Sequence, residues 1–289
     1  VTYRPRDTGH QKVPVLAHYY IWWRDTTWSS GRYEDFPLIG NYSSTDRAVV
    51  RQHILWAKSA GLSGWIVSWK GDLQRNAALS VLAVEARTED FGFVIWYESV
   101  DSNGSRRPIS TVDVDFSYLI TEYAGEPSYR IFRNKFAIIL GKSDQYSDQE
   151  LHDLATKYRP RILVLGSETD PNSYEKRSSY LDGNYYYWSS VDPYTNERYP
   201  EKLKSMSDSV HKYGGIWIAP VAPGYDSRRL GGETVVPRKN GKTLSVEFSL
   251  AIDSRPDAIG IISWNEFGEN TYIEPSVKFG NFYLTVLSS

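Results

Sequence analysis

Eight short apolar runs recur along the chain, and each is parted from the next by a stretch that is polar or has helical periodicity. The runs are Pro14–Trp22 (PVLAHYYIW), Gly64–Trp69 (GWIVSW), Phe93–Glu98 (FVIWYE), Lys135–Leu140 (KFAIIL), Arg161–Leu165 (RILVL), Asn184–Trp188 (NYYYW), Gly215–Ala219 (GIWIA) and Ile259–Trp264 (IGIISW). Several are almost continuously apolar, as strands buried on both faces must be. The amphipathic stretches are Thr45–Ala60, Asn76–Arg87, Val114–Tyr123, Asp148–Tyr158, Ser173–Leu181, Glu201–Tyr213 and Leu244–Ile252. Strand and helix in alternation imply right-handed βαβ units and a parallel sheet. With eight repeats and no Gly-rich phosphate fingerprint after the first strand, the expected fold is an α/β (β/α)8 TIM barrel rather than an open doubly wound sheet. Its expected extent is a single domain over residues 1–289. Pro220–Lys242, rich in Gly, Pro and basic residues, reads as a long loop after the seventh strand.

Composition narrows the function classes. The formal net charge is -2, with no basic stripe of the kind nucleic acid requires. The absence of cysteine removes a thiol nucleophile, a thiolate metal site and disulfides. The five His show no metal-ligand spacing, so neither a metal nor another cofactor is expected. Ser68 and Ser263 lie on strands without a Gly-x-Ser-x-Gly elbow. No apolar run reaches the roughly 20 residues that span a bilayer. Residues 1–13 are polar and carry no secretory leader; a processed secreted or cell-surface protein reads the same way, and that location is the expectation. Against this ordinary background stand 10 Trp and 22 Tyr. Tyr and Trp fill cores, and they also stack on the apolar faces of sugars.

In a (β/α)8 barrel the active site gathers at the carboxyl ends of the strands. Those ends carry Tyr19, Tyr20, Trp22 and Trp23, then Trp69 and Lys70, Tyr97 and Glu98, Glu168, Tyr187 and Trp188, Tyr225 and Asp226, and finally Asn265, Glu266 and Glu269. Aromatic rings beside carboxylates suit glycoside hydrolysis, in which rings hold the sugar, one carboxylic acid protonates the leaving oxygen and a second carboxylate assists. The segment Ser263–Pro275 (SWNEFGENTYIEP) is the sharpest signal. Two glutamates three apart can address one cavity, and their mutual repulsion raises one pKa enough to keep a proton donor at neutral pH. Glu266 and Glu269 are therefore the expected catalytic pair. Tyr19, Tyr20, Trp22, Trp69, Tyr97, Glu98, Tyr225, Asp226 and Asn265 are the expected substrate-binding residues.

Other residues have plainer readings. Glu98 and Glu168 either hold sugar hydroxyls or pair with a basic side chain. His18 reads as a satisfied histidine of the barrel interior, and Glu274 with Pro275 as a support for the last loop. Arg228, Arg229, Arg238, Lys239 and Lys242 read as a solvated loop face, the alternative being a grip on an acidic polysaccharide.

The run from Asn265-Glu266 to Pro275 resembles the Asn-Glu-x-x-Glu…Ile-Glu-Pro signature of family 99 glycoside hydrolases, the endo-α-1,2-mannosidases and mannanases. Tyr19-Tyr20-Ile21-Trp22, Val67-Ser68-Trp69 and Pro223-Gly224-Tyr225-Asp226 are similar to that family's first, second and seventh strand ends. The resemblance implies Glu269 as general acid/base, and Glu266 as the carboxylate that deprotonates the sugar 2-hydroxyl to give a 1,2-anhydro intermediate with net retention. It also implies Tyr225 in the reactive subsite and a glycan as the partner. Phe267-Gly268 stands where the family has Trp-His, and Asn270-Thr271-Tyr272 where it has Gly-Thr-Gln. Phe-Gly-Glu followed by Tyr-Ile also resembles family 71, the endo-α-1,3-glucanases. Tyr272–Leu284 resembles barrel domains associated with bacterial polysaccharide glycosyltransferases, which implies a second reading: a barrel that binds glycan without hydrolysing it.

Overall fold

The computed structural model describes residues 13–101 and 103–288, so the polar stretch at 1–12 lies outside the described residues. Eight strands are parallel: β1 (Val15–Tyr20), β2 (Gly64–Trp69), β3 (Gly92–Tyr97), β4 (Ala137–Leu140), β5 (Leu163–Leu165), β6 (Gly183–Tyr185), β7 (Ile216–Val221) and β10 (Ala258–Ile261). Their order is β5-β4-β3-β2-β1-β10-β7-β6. The ring closes where the Gly166 N–H donates to Gly183 O at 2.9 Å and the Tyr185 N–H donates to Gly166 O at 3.0 Å. The expected eight-stranded barrel is what forms.

Helices α1 (Arg47–Ser59), α2 (Leu73–Thr88), α3 (Ile109–Tyr123), α4 (Asp148–Tyr158), α5 (Pro171–Arg177), α6 (Tyr199–Lys212) and α7 (Lys242–Asp253) alternate with the strands. Their starts are written in the sequence. Asp46 accepts from the amides of Ala48 and Val49, Asp72 from Arg75, and Ser147 with Glu150 forms a reciprocal capping box.

The strands sort their side chains with period two. Leu16, Ile66, Val94, Ile139, Leu165 and Ile218 point inward and pack on one another without any helix residue. Ala17, Trp65, Ile95, Ile138 and Trp217 point outward and pack beneath the helices. This alternation decides which strand-end residues can reach the cleft.

Two features differ from expectation. Within the stretch read as a loop, β8 (Tyr225–Asp226) and β9 (Val235–Val236) form an antiparallel pair. Gly224 permits it, with φ of +145° and a backbone so close to β9 that a Cβ would meet Val236 O at 2.8 Å. At the end of the chain, α8 (Phe282–Ser288) buries Tyr283 and Leu284. Seven residues are too few for a legible helical period.

Candidate active site

The segment that follows β10 is stapled to itself and to β1. The peptide between Ile262 and Ser263 is cis. The Trp264 N–H donates to His18 O at 2.8 Å, the Glu266 N–H to Ser263 Oγ at 2.8 Å, and the Ile273 N–H to Ser263 O at 3.0 Å. Phe267 stacks on Tyr272 with centroids 4.1 Å apart and packs edge-on against Trp23 and Trp28 of the loop after β1. The turn between the two glutamates is thus clamped on both flanks.

Glu266 is 8% exposed, and its Oε1 accepts from the Gly268 N–H at 2.8 Å. A Cβ on Gly268 would sit 2.9 Å from that same oxygen and displace it. Burial raises the Glu266 carboxyl to about 8; the charge of Glu269 adds to the rise, and the Gly268 and Glu269 amides oppose it. Burial also lifts the half-buried Glu269 carboxyl. Glu98, at the end of β3, is raised by burial too, offset by the Ser68 hydroxyl and by Arg75 and Lys70, and its charge reaches Glu266. Three carboxyls thus share one low-dielectric cleft, and burial raises each of them above the usual carboxylate range.

Aromatic side chains enclose them. The Tyr20 hydroxyl meets the Tyr187 hydroxyl at 2.7 Å, and Trp22 lies 4.3 Å from the Tyr20 ring. Both tyrosines are raised well above their usual value, chiefly by burial and further by the fields of Glu266 and Glu269. The Tyr225 hydroxyl is raised by burial and then by Glu269, and that of Tyr33 by burial and by Glu266. Below them His18 is buried among Tyr20, Trp96, Tyr185 and Tyr187, and burial pushes it down to about 3. It is interior as expected but not satisfied as expected, since neither ring nitrogen meets a hydrogen-bond partner among the described residues.

The structure brings Tyr20, Trp22, Glu98 and Tyr225 together with Glu266 and Glu269, and separates the other expected residues from them. Tyr19, Trp69 and Tyr97 have the outward phase of their strands. Tyr19 meets His53 of α1 at 2.9 Å, Trp69 stacks on Tyr118 of α3, and Tyr97 donates to Asp115 of α3 at 2.8 Å. Asn265 is fully buried and its amide is committed: it accepts from the Tyr20 N–H at 2.8 Å and donates to Tyr20 O and the Tyr42 hydroxyl at 3.0 and 3.2 Å. It joins β1 to the Glu turn rather than facing a ligand. The Asp226 carboxylate is taken by Arg228 at 2.6 Å, which holds it below its usual range, while its backbone N–H donates to Glu269 O at 2.8 Å.

Glu168 is the partner of Arg177, which reaches both its oxygens at 3.0 and 2.9 Å, and it lies apart from the pair. Glu274 is buried as a support: it accepts from Tyr42 at 2.8 Å and faces His53 Nε2 at 3.1 Å without a hydrogen bond between them. Tyr33, Ser68 and Tyr187 belong to the cleft and are absent from the expected set. Ser68 and Tyr187 were findable, since each holds the inward phase of its strand. Tyr33 sits in an irregular loop and carries no such signal. Among the described residues no cluster of three or more His, Cys, Asp or Glu is arranged to hold a metal.

A family model described as glycosyl hydrolase family 99 matches residues 33–282. Glycoprotein endo-alpha-1,2-mannosidase-like protein of Mus musculus is 23% identical over 268 residues, which is 84% of this chain and 58% of that protein. Glycoprotein endo-alpha-1,2-mannosidase of Rattus norvegicus is 23% identical over 263 residues, 84% of this chain and 56% of that one. The chain therefore spans less than two thirds of these relatives' length. The solved structure of a GH99 endo-alpha-mannosidase from Bacteroides thetaiotaomicron superposes with a TM-score of 0.83 at 24% identity, covering 96% of both chains, which establishes the shared fold. Barrel, cleft and a match over most of the sequence converge: the chain belongs to glycosyl hydrolase family 99.

Proposed function

We propose that this chain hydrolyses α-mannosidic bonds within a glycan, with Glu269 as general acid/base and Glu266 as the base toward the sugar. The observation that carries the reading is the buried, charge-coupled carboxyl pair beside Tyr20, Trp22 and Tyr225 at the carboxyl end of the barrel. The reactive form holds one proton on the pair. In the free protein burial and the charge of Glu269 favour the protonated form of Glu266. A bound sugar sets the proton on Glu269, because a 2-hydroxyl donating to Glu266 favours its anion and a glycosidic oxygen accepting from Glu269 favours its acid.

Glu266 then takes the 2-hydroxyl proton and O2 attacks C1. The C1–O bond to the leaving group breaks as Glu269 protonates the departing oxygen. In the second half Glu269 deprotonates water, which adds to C1, and O2 recovers its proton from Glu266. Two inversions give net retention. Proton transfers of this kind contribute roughly 10²–10⁴-fold each. A polysaccharide substrate accords with a secreted or cell-surface location, which belongs to the same proposal.

The test is incubation with α-mannan and, separately, with α-glucan, following reducing ends and the first anomer by NMR. New reducing ends from α-mannan with the α-anomer appearing first are expected. Inversion, or cleavage of α-1,3-glucan alone, moves the chain toward family 71 chemistry. Glycan binding with no new reducing ends is the outcome of the non-hydrolytic reading.

A further inference from the structure

Tyr225 also lines a cavity of about 560 Å³, within the size range of small-ligand sites. It is walled by the β8–β9 pair, the segment after β10 and the start of α8, and neither catalytic glutamate lines it. It adjoins the cleft at Tyr225, which lines it and feels the charge of Glu269, and at Asp226, whose N–H donates to Glu269 O at 2.8 Å.

Its charge is unbalanced. The two acidic side chains on its wall are already engaged, Asp226 with Arg228 at 2.6 Å and Glu34 with Arg229 at 3.2 Å. Among the described residues, Arg238, Lys239 and Lys278 on the same wall have no carboxylate at ion-pair distance. Lys278 lies close enough to Asp226 to help depress its carboxyl. Lys239 stands 3.3 Å above the Tyr194 ring, on a backbone of positive φ that non-glycine residues seldom adopt. Arg238 is wedged between the Tyr272 and Tyr283 rings at 4.6 Å each, and its Nη2 donates to the carbonyls of Asn270 and Tyr272 at 2.8 Å each. Its buried Nη1 meets no acceptor. Buried donors are rarely left so. The remaining wall offers aromatic surface from Phe279 and Phe282.

We propose that this cavity is an accessory subsite for a glycan branch bearing an anionic substituent, a phosphate, sulfate or carboxylate, held by Lys239 and Lys278 with Arg238 behind them. The inference deepens the glycan reading and rests on it. Sugar faces suit the aromatic wall, and lysine ammoniums act on phosphate oxygens as point charges. Continuity with Tyr225 places the substituent on the chain whose neighbouring sugar occupies the reactive cleft. Of the five basic residues of the loop, Arg228 and Arg229 are neutralised locally and Lys242 does not line the cavity, which leaves Arg238 and Lys239 for a ligand and gives a physical basis to the acidic-polysaccharide alternative.

The experiment is calorimetric titration of the Glu269→Gln chain, in which turnover is blocked, with a neutral α-mannan oligosaccharide, with the same oligosaccharide as a phosphomonoester, and with inorganic phosphate. The phosphorylated glycan is expected to bind roughly 3–30-fold more tightly than the neutral one at low salt, with the advantage shrinking toward one in ~0.5 M salt. Lys239→Gln/Lys278→Gln should abolish the ratio, and Lys239→Arg/Lys278→Arg should keep most of it. Equal affinities, or an advantage that survives the Gln pair, would overturn the proposal. So would inorganic phosphate binding as tightly as the phosphorylated glycan, since the site would then be independent of sugar. The readout needs no hydrolysis: if the wild-type chain cleaves no glycan while the charge preference and its loss in the Gln pair are seen, the hydrolase reading fails and the subsite stands.

Discussion

Gly268 shows how one residue between two glutamates is constrained by chemistry rather than by the fold. Its N–H reaches Glu266 Oε1 at 2.8 Å, and a methyl group there would press on the far end of a flexible side chain. Gly268→Ala should therefore leave Tm within a few degrees of wild type while lowering kcat roughly 10-fold or more, because a displaced carboxylate misses the sugar. Loss of stability equal in proportion to loss of rate would contradict this. Glu266 itself couples pH to stability. Its folded pKa of about 8 stands above the ordinary 4.5, so the fold favours the protonated form. The contribution is complete below pH 4.5 and is lost as pH rises toward about 8. Glu266→Gln should thus match the wild type in acid and exceed it above pH 8, by on the order of a few kcal/mol in calorimetric unfolding. An unchanged difference across that range would remove the buried-acid account. On the proposed mechanism the same pair should make kcat/KM bell-shaped, with the alkaline limb near pH 8 for the free protein.

Among elements, the contact between the loop after β1 and the segment after β10 matters most. Asn265 spans them, and Asn265→Ala leaves the Tyr20 N–H and C=O without their partner in a fully buried setting. The expected cost is about 2–4 kcal/mol in denaturant unfolding, together with a fall in kcat, since Tyr20 and Glu266 both lose their anchor. Wild-type stability in this variant would show that the clamp is incidental. Elements were also the level at which the sequence was most and least readable. Continuous apolar runs and capping residues such as Asp46 and Ser147 marked strands and helix starts, because burial on two faces and orphan amides leave local signatures. The β8–β9 pair left none, being two residues a side and held by a tertiary approach at Gly224. Strand phase carries the distinction: Tyr20, Ser68 and Glu98 face the cleft while Tyr19, Trp69 and Tyr97, beside them on the same three strand ends, face the helices, and period two alone separates them. Asn265 looked like a ligand residue because only the folded chain brings Tyr20 and Tyr42 to its amide.

For the whole molecule, the barrel gathers side chains separated by most of the chain's length into one cleft. Tyr20 and Glu266 are brought together because β1 pairs with β10, an adjacency that follows from closure and not from any local pattern. What the two glutamates do there is tested most directly by leaving-group dependence in their Gln variants. With an unactivated α-mannoside, Glu269→Gln should lose roughly 10²–10⁴-fold in kcat/KM. With an aryl mannoside whose leaving group needs no protonation, it should recover most of its first-step rate, while Glu266→Gln stays slow on both substrates. Equal recovery in the two variants, or full activity in either on the unactivated substrate, would contradict the assignment.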